Sequence, residues 1–374
     1  MAFRGKSIVT LIGTLRLERH YYHCPTCQQG FCPWDEVLGL TPQALSPAAE
    51  EVTCLAGVQA SFAEASVKTL PKLAGLHLGE STVERTTEAA GERVAEALTA
   101  GRTFGPKRDW DWHKDADGKT VAYIAADATG VAQQGPDGAK AEGRMANVAV
   151  LYNPVPEERA AWAQPAANRR PVWQARYLAS LESFVDWGQA LRRQGAQIGM
   201  DRADRWIALS DGGSGLENFL RTHFPRVEAV ILDFYHAAEH LGVLAKALCP
   251  GDEAAAQDLQ GRWCHQLKHQ GGQALVATLR ALDLRGKRSS VRASYAAEVG
   301  YLENHVHRMD YPAYQARGWQ IGSGPVESAC KRVVGQRLKG AGMRWGEKGA
   351  DAVCHLRALF LSDTAQWDGF WNRN

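Results

Sequence analysis

No stretch of the chain approaches the roughly 18 consecutive apolar residues of a membrane span. The first residues, MAFRGKSIVTLIG, lack the apolar core and cleavage site of a signal peptide. A cytoplasmic protein is therefore the expectation. Charge of one sign is also lacking: the net value is +2 at pH 7, so nucleic-acid binding would have to come from local patches. Eight cysteines in 374 residues are too few for a disulfide scaffold. Five of them, Cys54, Cys249, Cys264, Cys330 and Cys354, sit in helix-like apolar stretches and read as core thiols. Internal repeats and low-complexity tails are absent. What remains is ordinary globular material, 45% apolar and 22% charged, long enough for two or three domains with real cores.

Five segments follow from pattern and composition. Residues 1–40 read as a hairpin, IVTLI and LRLERHYY around Gly13, running into HCPTCQQGFC. Residues 41–104 are helical. Residues 105–245 open with a linker, PKRDWDWHKDADGK, and then turn α/β. TVAYIAADATG, MANVAVLY and ARYLASL read as successive strands with turn residues between them. A helix, the strand RWIALS, a helix and the strand VEAVILD follow. Residues 246–310 are helical, and 311–374 are helical again after GWQIGSGPVES. Three strands, a helix, a strand, a helix and a strand is the order of a ribonuclease H-like fold, although periodicity alone does not single that fold out.

Carboxylates narrow the choice. Asp127 closes the apolar run YIAAD, Asp211 follows WIALS and precedes GGSG, and Glu327 lies just past Pro325 in a helix start. Two strand-end aspartates and a helical glutamate can converge on one or two Mg²⁺ ions, the arrangement used for in-line phosphoryl transfer. Singly, each has a plain alternative, since Asp before Gly is a common turn. A second strand-end aspartate, Asp233, competes with Asp211 for the same role.

Taken together, SDGGSGLENFLRTHFP, DFYH, GSGPVESACK, RHYYHCPTCQQGFCPWDEVLGL and GMRWGEKGADAVCHLRAL resemble the DDE transposases of bacterial insertion sequences. The likeness is to the Kra-type group, with a wider similarity to Mutator-like enzymes, and it covers almost the whole chain. It implies a ribonuclease H-like core with a helical insertion, preceded by a zinc-ribbon-like hairpin and a helix-turn-helix-like DNA-binding region. It further implies Asp127, Asp211 and Glu327 as catalytic Mg²⁺ (or Mn²⁺) ligands for two ions. Asp233 and His236 of DFYH are then accessory, placed beside the site. A buried histidine bonded to Asp233 is the plain alternative for His236. Expected partners are double-stranded DNA, at terminal inverted repeats and target, and a second copy to pair the two ends. Nucleoid DNA in a bacterial cytoplasm is the expected location. A nuclease of the same fold, or a shortened copy that only binds DNA, are the competing readings.

Cys24 and Cys27 form one CxxC knuckle, with Cys32 five residues on and His20 and His23 just before. A structural zinc site needs four ligands, so Zn²⁺ at Cys24, Cys27 and Cys32 with His23 competes with a broken site. Downstream, FAEASVKTLPKLAG and TVERTTEAAGERVAEAL read as two helices, the second begun by a Ser81–Glu84 capping box. Thr82, Arg85 and Thr86 would face a DNA groove. Lys268, Lys331, Arg332, Arg337, Lys339 and Arg344 are candidate phosphate contacts, with a merely solvated face as the alternative for each.

Overall fold

The computed structural model describes residues 2–40, 44–154, 174–213 and 215–372. Strands β1 (Ala2–Thr10) and β2 (Gly13–His23) pair antiparallel from Ala2↔Tyr21 to Thr10↔Gly13, and the short β3 (Gly30–Phe31) adds to β2. Gly13, at φ 121°, takes a backbone conformation that favours glycine at this tight turn. Lys6 and Arg19 reach from the hairpin to Asp35 in the helix Pro33–Val37.

The body of the protein is a five-stranded mixed sheet. Its strands are β4 (Val121–Val131), β5 (Arg144–Asn153), β6 (Gln174–Ser180), β7 (Arg205–Ser210) and β8 (Val227–Leu232), in spatial order β6-β5-β4-β7-β8. β5 pairs antiparallel with both β4 and β6, whereas β7 pairs parallel with β4 and β8 parallel with β7. All five expected strands are present. The turn residues expected between the second and third lie outside the described residues, as does Ser214 of the GGSG turn.

Helices cover both faces of this sheet, so Val121–Ala126 are buried without exception. Alternation sends Val121, Tyr123 and Ala125 to one hydrophobic cluster and Ala122, Ile124 and Ala126 to the other. The first cluster is closed by a helix over 324–338 and by the helices that follow β8. The second is closed in part by Phe184–Gln197 and Leu216–His223. The helix Glu347–Leu361 packs on β6 and on the helix Glu80–Thr99. Between β8 and Glu327 the chain is helical: Phe234–Leu248, Glu253–Arg280, Ser289–Asn304, a turn at Val306–Arg308 and Tyr311–Ala316. Among the described residues no helix is long and apolar enough to cross a membrane.

Two local expectations need correction. The segment read as a linker is packed: Trp110 and Trp112 are buried, and Trp112 Nε1 donates to the Gly199 carbonyl at 3.2 Å. The Ser81–Glu84 capping box is not formed either. The helix starts at Glu80 with Gly79 as its cap, whose carbonyl accepts from Thr82 and Val83 at 2.9 and 3.1 Å. Ser81 is thereby drawn inside the first turn, where no cap is required.

Candidate active site

Register places the aspartates. Ala126 on β4 pairs with Ser210 on β7, and Ser210 pairs with Leu232 on β8. One residue further along each parallel strand, Asp127, Asp211 and Asp233 therefore stand level across three neighbours, whose spacing is about 4.8 Å. Parity then sets their face. Tyr123 and Ala125, Ile207 and Leu209, and Ile231 all enter the first cluster, so each aspartate continues toward the side that the 324–338 helix covers. That helix carries Glu327 on its exposed side and buries Val326, Ala329 and Cys330 against the sheet.

Asp233 is buried and saturated with donors. Its Oδ1 accepts from Tyr235 N at 2.7 Å as the cap of the helix Phe234–Leu248, while Oδ2 accepts from the Ser323 backbone at 3.2 Å and from the Ser323 hydroxyl. The same hydroxyl lies 3.2 Å from Glu327 Oε1. Asp211 is more open, and among the described residues its Oδ1 accepts from Gly213 N alone, at 2.8 Å. Asp127 Oδ1 accepts from Ala128 N at 2.7 Å, with the Cys330 thiol 3.5 Å from Oδ2. Between the two competing strand ends, Asp211 is thus the freer carboxylate and Asp233 the structural one.

Burial, and then the charge of Asp211, raise the Asp127 carboxyl above its ordinary value, with Ala128 N–H, the Cys330 thiol and His236 pulling the other way. The Glu327 carboxyl is also raised, first by burial and next by Asp233, with Asp127 adding to the repulsion. Among the described residues no Lys, Arg or His side chain forms an ion pair with any of the four carboxylates. No three His, Cys, Asp or Glu side chains among the described residues stand together as a ready metal site. What exists is a set of neighbouring carboxylates in which burial and like charge raise Asp127 and Glu327, with the Cys330 thiol beside Asp127.

His236 is half-exposed and does not bond to Asp233, so the plain alternative for it falls away. Its Nδ1 lies 3.5 Å from Glu239 and its Nε2 3.3 Å from His240 Nε2. Sequence reasoning missed three residues at this centre: Ser323, Cys330 and Arg308. Buried Arg308 donates to the carbonyls of Ser210 and Asp211, both at 3.0 Å, and to the Ser210 hydroxyl at 2.7 Å. Only Ser323 left a signal, by its place in the GSGPVES turn.

The expected DNA contacts divide. Lys331, Arg332, Lys339 and Arg344 are exposed, and Lys339 Nζ reaches Thr129 Oγ1 two residues past Asp127. Arg337 must be withdrawn. It is 2% exposed, donates to the Gly57 carbonyl at 2.7 Å, and lies over the rings of Phe62 and Trp345. Thr86 must be withdrawn as well, being 1% exposed and turned into the packing around Cys54. Thr82 is half-buried and Arg85 exposed, but Glu80, Glu84, Glu88, Glu92 and Glu96 run along the same helix at every fourth residue. Such a ridge repels phosphate, which counts against this helix as a groove reader.

At the N-terminus the structure brings two cysteines together and not the rest. Cys24 N donates to Gln29 O at 2.8 Å and Gln28 N to Cys24 O at 2.9 Å, a tight knuckle. Hydrogen bonds from the Cys27 backbone and thiol, then from Thr26, lower the Cys24 thiol below its ordinary value. Cys32 occupies the N-cap position of the helix Pro33–Val37 with no cap hydrogen bond from its side chain, and among the described residues no three metal-ligating side chains stand together. Of the expected zinc set, the structure brings Cys24 and Cys27 together.

No protein-family model matches the chain, and no curated protein matches it.

Proposed function

We propose that the chain is a DNA transposase with a ribonuclease H-like core, in which Asp127, Asp211 and Glu327 hold divalent ions for phosphoryl transfer. The observation that carries this reading is the level placement of strand-end aspartates on three parallel strands, under a helix that presents Glu327. The sheet order β6-β5-β4-β7-β8, in which β5 alone runs opposite to the other four strands, supports the fold assignment. The backbone register aligns Asp127, Asp211 and Asp233, and like charge from Asp233 and Asp127 acts on Glu327.

When bound, two Mg²⁺ or Mn²⁺ ions would activate the attacking oxygen and stabilise the leaving one in an in-line displacement. Asp127 and Asp211 provide the freer oxygens. Ser323 holds Asp233 and Glu327 in mutual register, so Asp233 serves by placing Glu327. Lys331, one helical turn beyond Glu327, and Arg332, Lys339 and Arg344 would take neighbouring phosphates. Water would attack first at an element end, and the freed 3′-hydroxyl would then attack target DNA. Synapsis of two ends calls for at least a dimer. Zinc at Cys24 and Cys27 would draw its remaining ligands from beyond that pair.

The acidic ridge on the helix Glu80–Thr99 favours a second reading, a metal-dependent nuclease of the same fold that lacks end recognition. Incubating the protein with Mg²⁺ and DNA spanning its gene and both flanks separates the two. A transposase gives breaks at defined ends and joined strand-transfer products. A nuclease gives breaks alone, and no Mg²⁺-dependent products at all would refute both.

A further inference from the structure

The helical segment between Asp233 and Glu327 touches the carboxylate cluster at several points. Arg308 binds the backbone of Ser210 and Asp211, and Tyr311 donates its hydroxyl to the Leu232 carbonyl at 2.9 Å, just before Asp233. Tyr301 packs against the Asp211–Gly212 turn so closely that a Cβ on Gly212 would lie 2.2 Å from its hydroxyl.

Another contact is a chain of polar side chains. Glu298 Oε2 is 2.5 Å from His240 Nδ1, and His240 Nε2 is 3.3 Å from His236 Nε2. Glu298 comes from the helix Ser289–Asn304, whereas both histidines lie on Phe234–Leu248. Ionised, Glu298 can only accept, so His240 Nδ1 must carry a proton. The two facing Nε2 atoms share a single proton. With His240 neutral, its Nε2 is the acceptor and His236 Nε2–H is the donor. The His240 ring cannot drift, because it stacks on Tyr301 with centroids 3.7 Å apart and planes at 16°. Both ends of the Glu298–His240 pair are largely shielded, at 16% and 23% side-chain exposure, which strengthens the bond. His236, the far end of the chain, is near enough to Asp127 to act on its carboxyl.

We propose that Glu298 is a positioning residue for the candidate active site: it sets the tautomer of His240 and, through it, the proton and orientation of His236 beside Asp127. At metal centres an outer carboxylate commonly fixes the tautomer and ring orientation of a histidine in the same way. The use made of His236 rests on the phosphoryl-transfer reading, whereas the hydrogen-bond chain does not. Glu298 is contributed by the insertion, so the insertion is a working wall of the centre and not only a spacer.

The test uses the full chain labelled with ¹⁵N-histidine, without DNA or metal, alongside a cleavage assay. In the wild type, His240 should show a protonated Nδ1 and a bare Nε2, and His236 a protonated Nε2. Glu298→Ala should release both rings to averaged tautomers and slow cleavage by about 10–100-fold. Glu298→Gln keeps an acceptor oxygen and should preserve both. Should Glu298→Ala fail to fold, His240→Phe keeps a ring on Tyr301 and should release His236 alone. The proposal is overturned if His236 nitrogen shifts and cleavage are unchanged when Glu298 or His240 is replaced. If the wild type cleaves no DNA yet both rings respond together to Glu298→Ala, the chain stands and the catalytic reading fails.

Discussion

Asp211 stands level with Asp127 on the neighbouring parallel strand, because Ala126 pairs with Ser210. Burial, and then the like charge of Asp211, raise the Asp127 carboxyl, and Glu327 is raised by burial with Asp233 and Asp127. The sign follows from linkage. A carboxyl raised on folding favours the native state below its ordinary range, and this contribution is lost as pH rises through the raised value. In chelator at neutral pH, Asp127→Asn should therefore melt higher than the wild type, and the gap should close in acid. Mg²⁺ should stabilise the wild type, by about 2.7 kcal/mol at a hundred times its Kd, with a matching rise in melting point, and should do far less for Asp127→Asn. Calorimetry at two pH values, with and without Mg²⁺, checks all of this.

Glu88 provides a second pH test. Burial, then Glu84 and Glu92, push its carboxyl up to about 7. Its favourable contribution is present below the ordinary carboxylate range and disappears as pH rises through about 7. Glu88→Gln should thus stabilise the protein at pH 8.5 and change little near pH 5, as read from urea midpoints. Equal stabilisation at both values would place the cause in packing instead.

Gly91 sits where the helix Glu80–Thr99 crosses Glu347–Leu361. A Cβ there would lie 2.0 Å from the Ala352 carbonyl oxygen, which is backbone and cannot swing aside. Alanine gains about 1 kcal/mol in helix propensity, but overpacking costs about 1–3 kcal/mol. Gly91→Ala should therefore lower the melting temperature, whereas the same change at open Gly261 in the helix Glu253–Arg280 should raise it.

Thiol reactivity should sort by environment. Cys24 and Cys27 are exposed and Cys24 is shifted toward the thiolate, while burial pushes Cys54, Cys330 and Cys354 up. Brief alkylation of the native protein, read by mass spectrometry, should label Cys24 and Cys27 first and reach the buried three only in denaturant.

The strands were legible because each is a short apolar run ended by a turn residue, and the aspartates were legible because they end those runs. Face followed from parity: Leu209 and Asp211, or Ala125 and Asp127, are two apart. The Thr86 assignment failed for the opposite reason. A helix read from its start alone gives no face, and Val83, Thr86, Ala90 and Val94 place Thr86 on the buried stripe. The acidic ridge at every fourth residue from Glu80 to Glu96 was there to read and bears directly on DNA binding. Arg308 and Glu298 were not legible. Each acts on residues 58 to 98 positions away, and no local pattern marks such a pairing.

Phosphoryl transfer at this site requires that Asp127, Asp211 and Glu327 share an ion. Anomalous scattering from crystals soaked in Mn²⁺ tests this directly. The expected result is a peak bonded to Asp127 and Asp211 with Glu327 in reach, lost in Asp127→Asn. A peak at Asp233 without Asp211, or full Mg²⁺-dependent cleavage by Asp127→Asn, would contradict it.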